Sequence, residues 1–139
     1  ILKALTVTPW LFNRRYAMTK YLLDTCLILG LFKRDAKALA LMENILPQDC
    51  YTSIINRIEL LGYHGISAHD EAVLADFLAN IICLPLSDAV ANAAITVRKR
   101  HQIKLPDSIV LATALSHDVQ LLTLDYGLAR KYQAEVSGN

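Results

Sequence analysis

The sequence predicts an α/β protein: a three-layer α/β/α sandwich around a mostly parallel sheet of roughly five strands. Three observations carry this. Short apolar β-like runs alternate along the chain with longer stretches of helical periodicity, the pattern of strands joined by crossover helices. Hairpin dipeptides such as Asn-Gly are missing between those runs, which argues against antiparallel neighbours. Finally, 54% of residues are apolar and only 19% charged, yet no apolar run approaches the roughly 20 residues of a membrane-spanning helix. High apolarity in short runs is what a parallel sheet covered on both faces requires.

The elements follow in order. Residues 1–17, with Pro9, Trp10, Arg14 and Arg15, show no period; they read as an N-terminal extension or leader outside the fold, leaving residues 18–139 as one domain. Their arginines follow the apolar stretch, the wrong order for a secretory signal. Tyr21 to Leu23 forms a first strand that ends at Asp24. Helical sequence runs from Thr25 to about Leu46, broken near Arg34 and Asp35 and closed by Pro47. Tyr51 to Ser53 is a second strand, and Ile54, Ile55, Ile58 and Leu61 repeat at helical spacing up to Gly62. Ser67 and Asp70 open a further helix in capping-box fashion. Its stripe of Val73, Leu74, Phe77, Leu78 and Ile81 suits either the core or an interface between two copies. Ile82 to Leu86 is a third strand, and Val90, Ala91, Ala94, Ile95 and Arg98 mark the next helix. Pro106 sits in the first turn of a helix reaching Leu115. Val119 to Thr123 is the fourth strand, followed by a short helix over Tyr126 to Tyr132 and a fifth strand near Ala134 to Val136.

Composition excludes several classes. With Gly 5, Pro 4 and Cys 3, the chain is neither collagen-like nor a disulfide scaffold, and its apolar content excludes disorder. Cys26, Cys50 and Cys83 form no Cys-x-x-Cys pair, so they read as free thiols of a reducing compartment, the cytoplasm. A net charge of +1 provides no broad basic surface, so any nucleic acid must be recognised locally.

In open α/β sheets ligands bind beyond the carboxyl ends of the strands. Asp24 ends the first strand, Asp125 follows the fourth, Asp107 sits in a helix's first turn, and Glu59 lies in the helix after the second strand, beside its apolar stripe. The stripe leans Glu59 toward the sheet. Carboxylates converging on one edge repel one another, and an oxygen-ligated Mg²⁺ or Mn²⁺ relieves that repulsion. Asp24, Asp107 and Asp125 each have a second explanation as a helix cap or first-turn residue, whereas Glu59, beside a buried stripe, calls for a partner.

The segments around these acids resemble the PIN domain family. MTKYLLDTC (Met18 to Cys26) is similar to its opening motif, SIINRIELLG (Ser53 to Gly62) to its second, LPDSIVLATAL (Leu105 to Leu115) to its third, and LLTLDY (Leu121 to Tyr126) to its closing motif. The likeness runs from Met18 to about Val136, and the size of the chain is that of the VapC-type toxin branch. One departure is local: where many members carry an arginine and an asparagine after the strand's threonine, this chain has Leu124 and Asp125.

The resemblance implies a metal-dependent endoribonuclease, cytoplasmic and without a membrane segment. Asp24, Glu59, Asp107 and Asp125 would be its catalytic and metal-holding residues, with Mg²⁺ or Mn²⁺ as cofactor. Thr25, Ser53 and Thr123 would position water or phosphate. Arg98, Arg100 and Lys104, in a basic cluster just before Asp107, would bind RNA phosphates, although cations also suit the end of a helix. RNA as substrate, a small antitoxin inserted in the active-site groove and a homodimer are the implied partners. The alternative is a catalytically silent PIN-like module that binds RNA or protein. An aspartyl-nucleophile phosphotransferase is disfavoured, because Cys26 stands where that chemistry needs a second aspartate.

Overall fold

The computed structural model describes residues 19–138, and the reading of residues 1–17 as a leader lies outside them. Strand β1 (Tyr21–Leu23) leads into α1 (Thr25–Phe32) and α2 (Ala36–Met42), then a one-turn 3-10 helix (Pro47–Asp49). Next come β2 (Cys50–Ser53), α3 (Ile54–Leu61), α4 (Ala68–Ala79), β3 (Ile82–Leu84) and α5 (Asp88–Arg100). The chain continues through α6 (Leu105–Ser116), β4 (Gln120–Leu122) and α7 (Tyr126–Ser137). The strands form one sheet in the order β3-β2-β1-β4, every pairing parallel.

Alternation along the central strands sorts the core into two layers. Leu23 and Leu122 face one side, against Leu27, Ile28, Ala38, Leu60, Leu74 and Leu78 of α1 to α4. Leu22 and Leu121 face the other, against Val97, Val110, Leu111, Ala114 and Leu128 of α5 to α7. This is the expected three-layer sandwich. Each fully buried leucine contributes about 1.5–3 kcal/mol. On α4, Leu74 and Leu78 are buried and Phe77 meets Phe32 edge-on, ring centroids 5.5 Å apart, while Val73 stays exposed.

Helix boundaries follow sequence signals. The expected break falls where Arg34 adopts φ 57° and the Asp35 side chain accepts from the Ala38 N–H to start α2. Ser67 caps α4 by accepting from the Asp70 N–H.

Two expectations are corrected. The described residues hold four strands rather than five: Ala134 to Val136 belongs to α7, which runs on to Ser137. Leu128 and Tyr132, four residues apart, pack on the core, and continued helix brings Glu135 against Arg100 and His101, at 2.7 and 2.8 Å; three residues of β propensity do not outweigh that anchoring. The inward face of α3 is also rotated. Asn56 and Leu60 are its buried residues, and Ile58, expected in the stripe, is 61% exposed.

Gly30 marks the tightest approach of α1 to α2. A Cβ there would stand 2.9 Å from Ala38 Cβ and 3.1 Å from Leu124 Cδ1. Gly30→Val is therefore expected to lower stability by about 2 kcal/mol through overpacking, despite removing a helical glycine. A denaturant midpoint equal to or above the parent's would contradict this contact.

Candidate active site

The strand order reverses between β1 and β4, and the polar residues gather beyond the carboxyl ends of those two strands, where such sheets hold ligands. β-pairing extends one residue past β1, since the Asp24 N–H donates to Leu122 O at 3.0 Å. Extended at φ −76°, ψ 159°, Asp24 caps α1. Its carboxylate is 7% exposed, and donors surround it. Oδ1 accepts from Thr25 N–H at 2.9 Å and Asn56 Nδ2 at 3.1 Å. Oδ2 accepts from the Thr123 hydroxyl at 2.7 Å and the Cys26 thiol at 3.4 Å. Each bond to an ionised oxygen contributes about 1.5–3 kcal/mol, which offsets the cost of burying the charge.

Asn56 joins this acid to Glu59. Its side-chain amide, fully buried, donates both to Asp24 Oδ1 and to Thr25 Oγ1, the latter at 3.0 Å. The Thr25 hydroxyl then donates to Glu59 Oε1 at 2.6 Å. On its other side the Asn56 carbonyl accepts from the Ser53 hydroxyl at 2.6 Å and the Ser53 N–H at 3.2 Å, completing a reciprocal capping box at the start of α3. Sequence reasoning passed over Asn56. The available signal was its place three residues after Ser53, the spacing of a capping box.

Glu59 is exposed rather than turned to the sheet, because the rotation of α3 brings Asn56 and Leu60 inward. Its hydrogen bond to Thr25 nevertheless ties it to the mouth. Asp125 is exposed too and caps α7 through Leu128 N–H at 3.2 Å; its own N–H donates to Thr123 Oγ1 at 3.0 Å. Thr123 therefore touches both Asp24 and Asp125.

Asp107, in the first turn of α6, registers the whole cluster. Its carboxyl is held above the ordinary 3.8, first by burial, then by the charges of Asp24, Asp125 and Glu59, with Lys104 opposing. The four acids thus lie near enough to feel one another's charge. Among the described residues, however, no three His, Cys, Asp or Glu side chains are drawn into a finished metal-ligand set. The hydrogen bonds just described hold Asp24, Glu59 and Asp125 to protein donors, and mutual repulsion opposes closer approach.

An aspartate with raised proton affinity in the fold stabilises it only while protonated. That contribution is full below the unfolded value near 3.8 and is lost as pH rises through the higher folded value. Above the folded value Asp107 is ionised, and the fold bears the costs of burial and repulsion. In metal-free buffer Asp107→Asn is expected to melt higher than the parent at pH 7, with the difference shrinking toward pH 3. A lower melting temperature at pH 7 would contradict the repulsion.

The remaining expected residues divide. Ser53 is fully buried, its hydroxyl engaged with Asn56, so it secures the start of α3. Of the basic cluster, Arg100 pairs with Glu135 at 2.7 Å in a separate opening shared with His101 and Ala134. Arg98 is exposed on α5, and Lys104 shares a cleft with Asp107 and Asp125. The three cysteines are free, and burial raises each thiol, Cys50 to about 11. Among the described residues no helix is long and apolar enough to cross a membrane.

Fold and site together define a parallel-sheet α/β domain with a carboxylate-lined mouth at its topological switch point. The PIN domain family matches residues 21–134. The chain belongs to that family. A search of curated proteins found no match. Among solved structures, a chain of a toxin–antitoxin complex from Klebsiella pneumoniae superposes with a TM-score of 0.68 at 28% identity, over 76% of this chain and 87% of that one. A chain of FitAcB from Neisseria gonorrhoeae gives 0.69 at 24% identity, over 81% and 93%. A chain of VapBC2 from Rickettsia felis, bound to a promoter DNA fragment, gives 0.64 at 17%, over 77% and 88%. The last two likenesses concern the fold alone.

Proposed function

We propose that this protein is a VapC-type toxin: a divalent-metal-dependent endoribonuclease of the cytoplasm, restrained by a protein antitoxin. The observation that carries the reading is the mouth beyond β1 and β4, where the buried Asp24 is linked through Thr25 to Glu59 and through Thr123 to Asp125, with Asp107 near enough to feel the same three charges. Uncompensated, that arrangement costs stability; an all-oxygen acidic set is what Mg²⁺ or Mn²⁺ takes, so the residues fit the metal.

Asp24 and Asp107 would hold the cation, with Glu59 and Asp125 completing its surroundings. When bound, it supplies a water of lowered pKa and offsets charge on the phosphorane and the leaving alkoxide. The chain's own groups do the rest. Thr123 and Asn56 fix the two oxygens of Asp24. Thr25 engages Oε1 of Glu59, leaving Oε2 to orient a water for in-line attack. Ser53 acts indirectly, by fixing Asn56.

A groove of about 570 Å³ opens beside Glu59, with Leu29, Phe32, Tyr63, Ile66 and Val73 among its walls. It suits the apolar face of an antitoxin segment, in line with the Klebsiella relative, solved as a toxin–antitoxin complex. Co-purification with the product of the neighbouring reading frame, lost in Val73→Glu, tests that partner. The homodimer rests on the family resemblance, and a solution mass near one chain, 15.5 kDa, would count against it.

Mn²⁺ at a hundred times its dissociation constant is expected to add about 2.7 kcal/mol of stability, seen as a raised melting temperature, and to support cleavage of a mixed RNA pool at defined sites. A chelator should remove both effects. The silent-module reading wins if Mn²⁺ produces neither change.

A further inference from the structure

A second opening lies against the same acids. This cleft, about 210 Å³, is walled by Gln102, Lys104, Asp107, Asp125, Gly127 and Lys131. That is room for about seven waters, enough for a phosphodiester group with part of its sugar. Lys104 enters from the residue before α6 and Lys131 from the second turn of α7.

Among the described residues neither lysine is closed into an ion pair. The ion pairs within 4 Å among the described residues are Lys20–Asp49, Arg100–Glu135 and His101–Glu135. Neither Lys104 nor Lys131 takes part in one, although each shares the cleft with two carboxylates. Gly127 keeps the cleft open: a Cβ there would lie 3.3 Å from Asp125 Oδ1 and 3.8 Å from Lys131 Nζ. The Lys131 ammonium and an Asp125 oxygen thus flank the same glycine without forming an ion pair. Acids alone would repel an RNA backbone; two ammonium groups beside them reverse that at one point. Arg100, by contrast, is held by Glu135 on another opening.

We propose that Lys104 and Lys131 form a subsite for one backbone phosphate of single-stranded RNA, next to the bond being cut. Each ammonium donates to one non-bridging oxygen, which sets the register of the strand against the acids. Lys131 is thereby a substrate-binding residue of the chain. The subsite rests on the nuclease reading for its purpose, but its binding can be measured without cleavage.

The test uses Lys104→Gln, Lys131→Gln and, as a control of equal charge, Arg130→Gln, an exposed residue of α7 outside the cleft. In the full chain with Mn²⁺, each lysine variant is expected to raise KM about five- to tenfold with kcat changed less than about threefold. The same substitutions placed in Asp24→Asn are titrated without metal against a short fluorescent RNA across a salt series. Losing the one phosphate contact, as in Lys104→Gln combined with Lys131→Gln, should reduce the slope of log Kd against log salt by about 0.7, each single variant by part of that, with Arg130→Gln near the parent. If slopes fall as expected while no protein cleaves RNA, the subsite stands and the nuclease reading falls. If the lysine variants keep the parent slope, or Arg130→Gln loses as much, the subsite is overturned.

Discussion

Asp24→Asn should reduce RNA cleavage about a thousandfold or more while the domain stays folded. Metal-assisted stabilisation of developing charge is a matter of several kcal/mol, at about 1.36 kcal/mol per factor of ten, and the substitution removes the most enclosed negative charge of the mouth. The fold should tolerate it because an asparagine can be oriented to satisfy the same neighbours. Its carbonyl can take the place of Oδ1, accepting from Thr25 N–H and Asn56 Nδ2. Its amide then faces the Thr123 oxygen where Oδ2 had accepted, and that hydroxyl turns its proton elsewhere. The expected cost is about 1–2 kcal/mol, the difference between charged and neutral hydrogen bonds. Circular dichroism and melting establish folding; near-parent cleavage by a folded variant would remove Asp24 from the chemistry.

Asn56→Ala is expected to have the largest effect on stability of any single polar substitution at the site, with a loss of activity beyond it. The truncation leaves the Ser53 N–H and hydroxyl without their acceptor, and it takes a donor from both Asp24 and Thr25. Buried groups left unpaired cost about 1–3 kcal/mol each, so a total of about 3 kcal/mol and a melting temperature about 10 °C lower are expected. Loosening the support of two carboxylates should reduce cleavage a further 10- to 100-fold, the usual effect of losing a group that orients metal ligands. Assayed well below the melting point, a purely structural residue would leave kcat near the parent's. Asn56→Asp separates the roles further: it can keep the bonds from Ser53 but sets a second carboxylate against Asp24, so cleavage should fall at least as far.

These two residues also mark how far the sequence could be read. Asp24 was legible because position alone makes the argument: a short apolar strand ends, an acid follows, and strand ends hold ligands. Asp125 after Thr123 yields to the same reasoning, and Asp107 to its place in a helix's first turn after Pro106; the sandwich itself follows from the alternation of strand and helix periods. Asn56 was not legible, because its importance comes from Asp24 and Thr25, some 30 residues away along the chain. The apolar residues of α3 pointed to Ile58 as an inward position; the capping box and the Asp24 bond instead bring Asn56 inward and leave Ile58 in solvent. Ala134 to Val136 failed for a related reason, since Glu135 holds the last turns of α7 through Arg100 and His101, partners invisible to a local window. Arg100 likewise looked like a phosphate ligand while its counterion lay 35 residues ahead.

The most direct measurement is the initial rate of single-stranded RNA cleavage as Mn²⁺ is titrated into chelator-treated protein, parent and Asp24→Asn side by side. The carboxylate mouth predicts a saturable rise for the parent, reversed by chelator, and a flat response for the variant. Equal cleavage by the two proteins, or a parent that cleaves no RNA at any Mn²⁺ concentration, would contradict it.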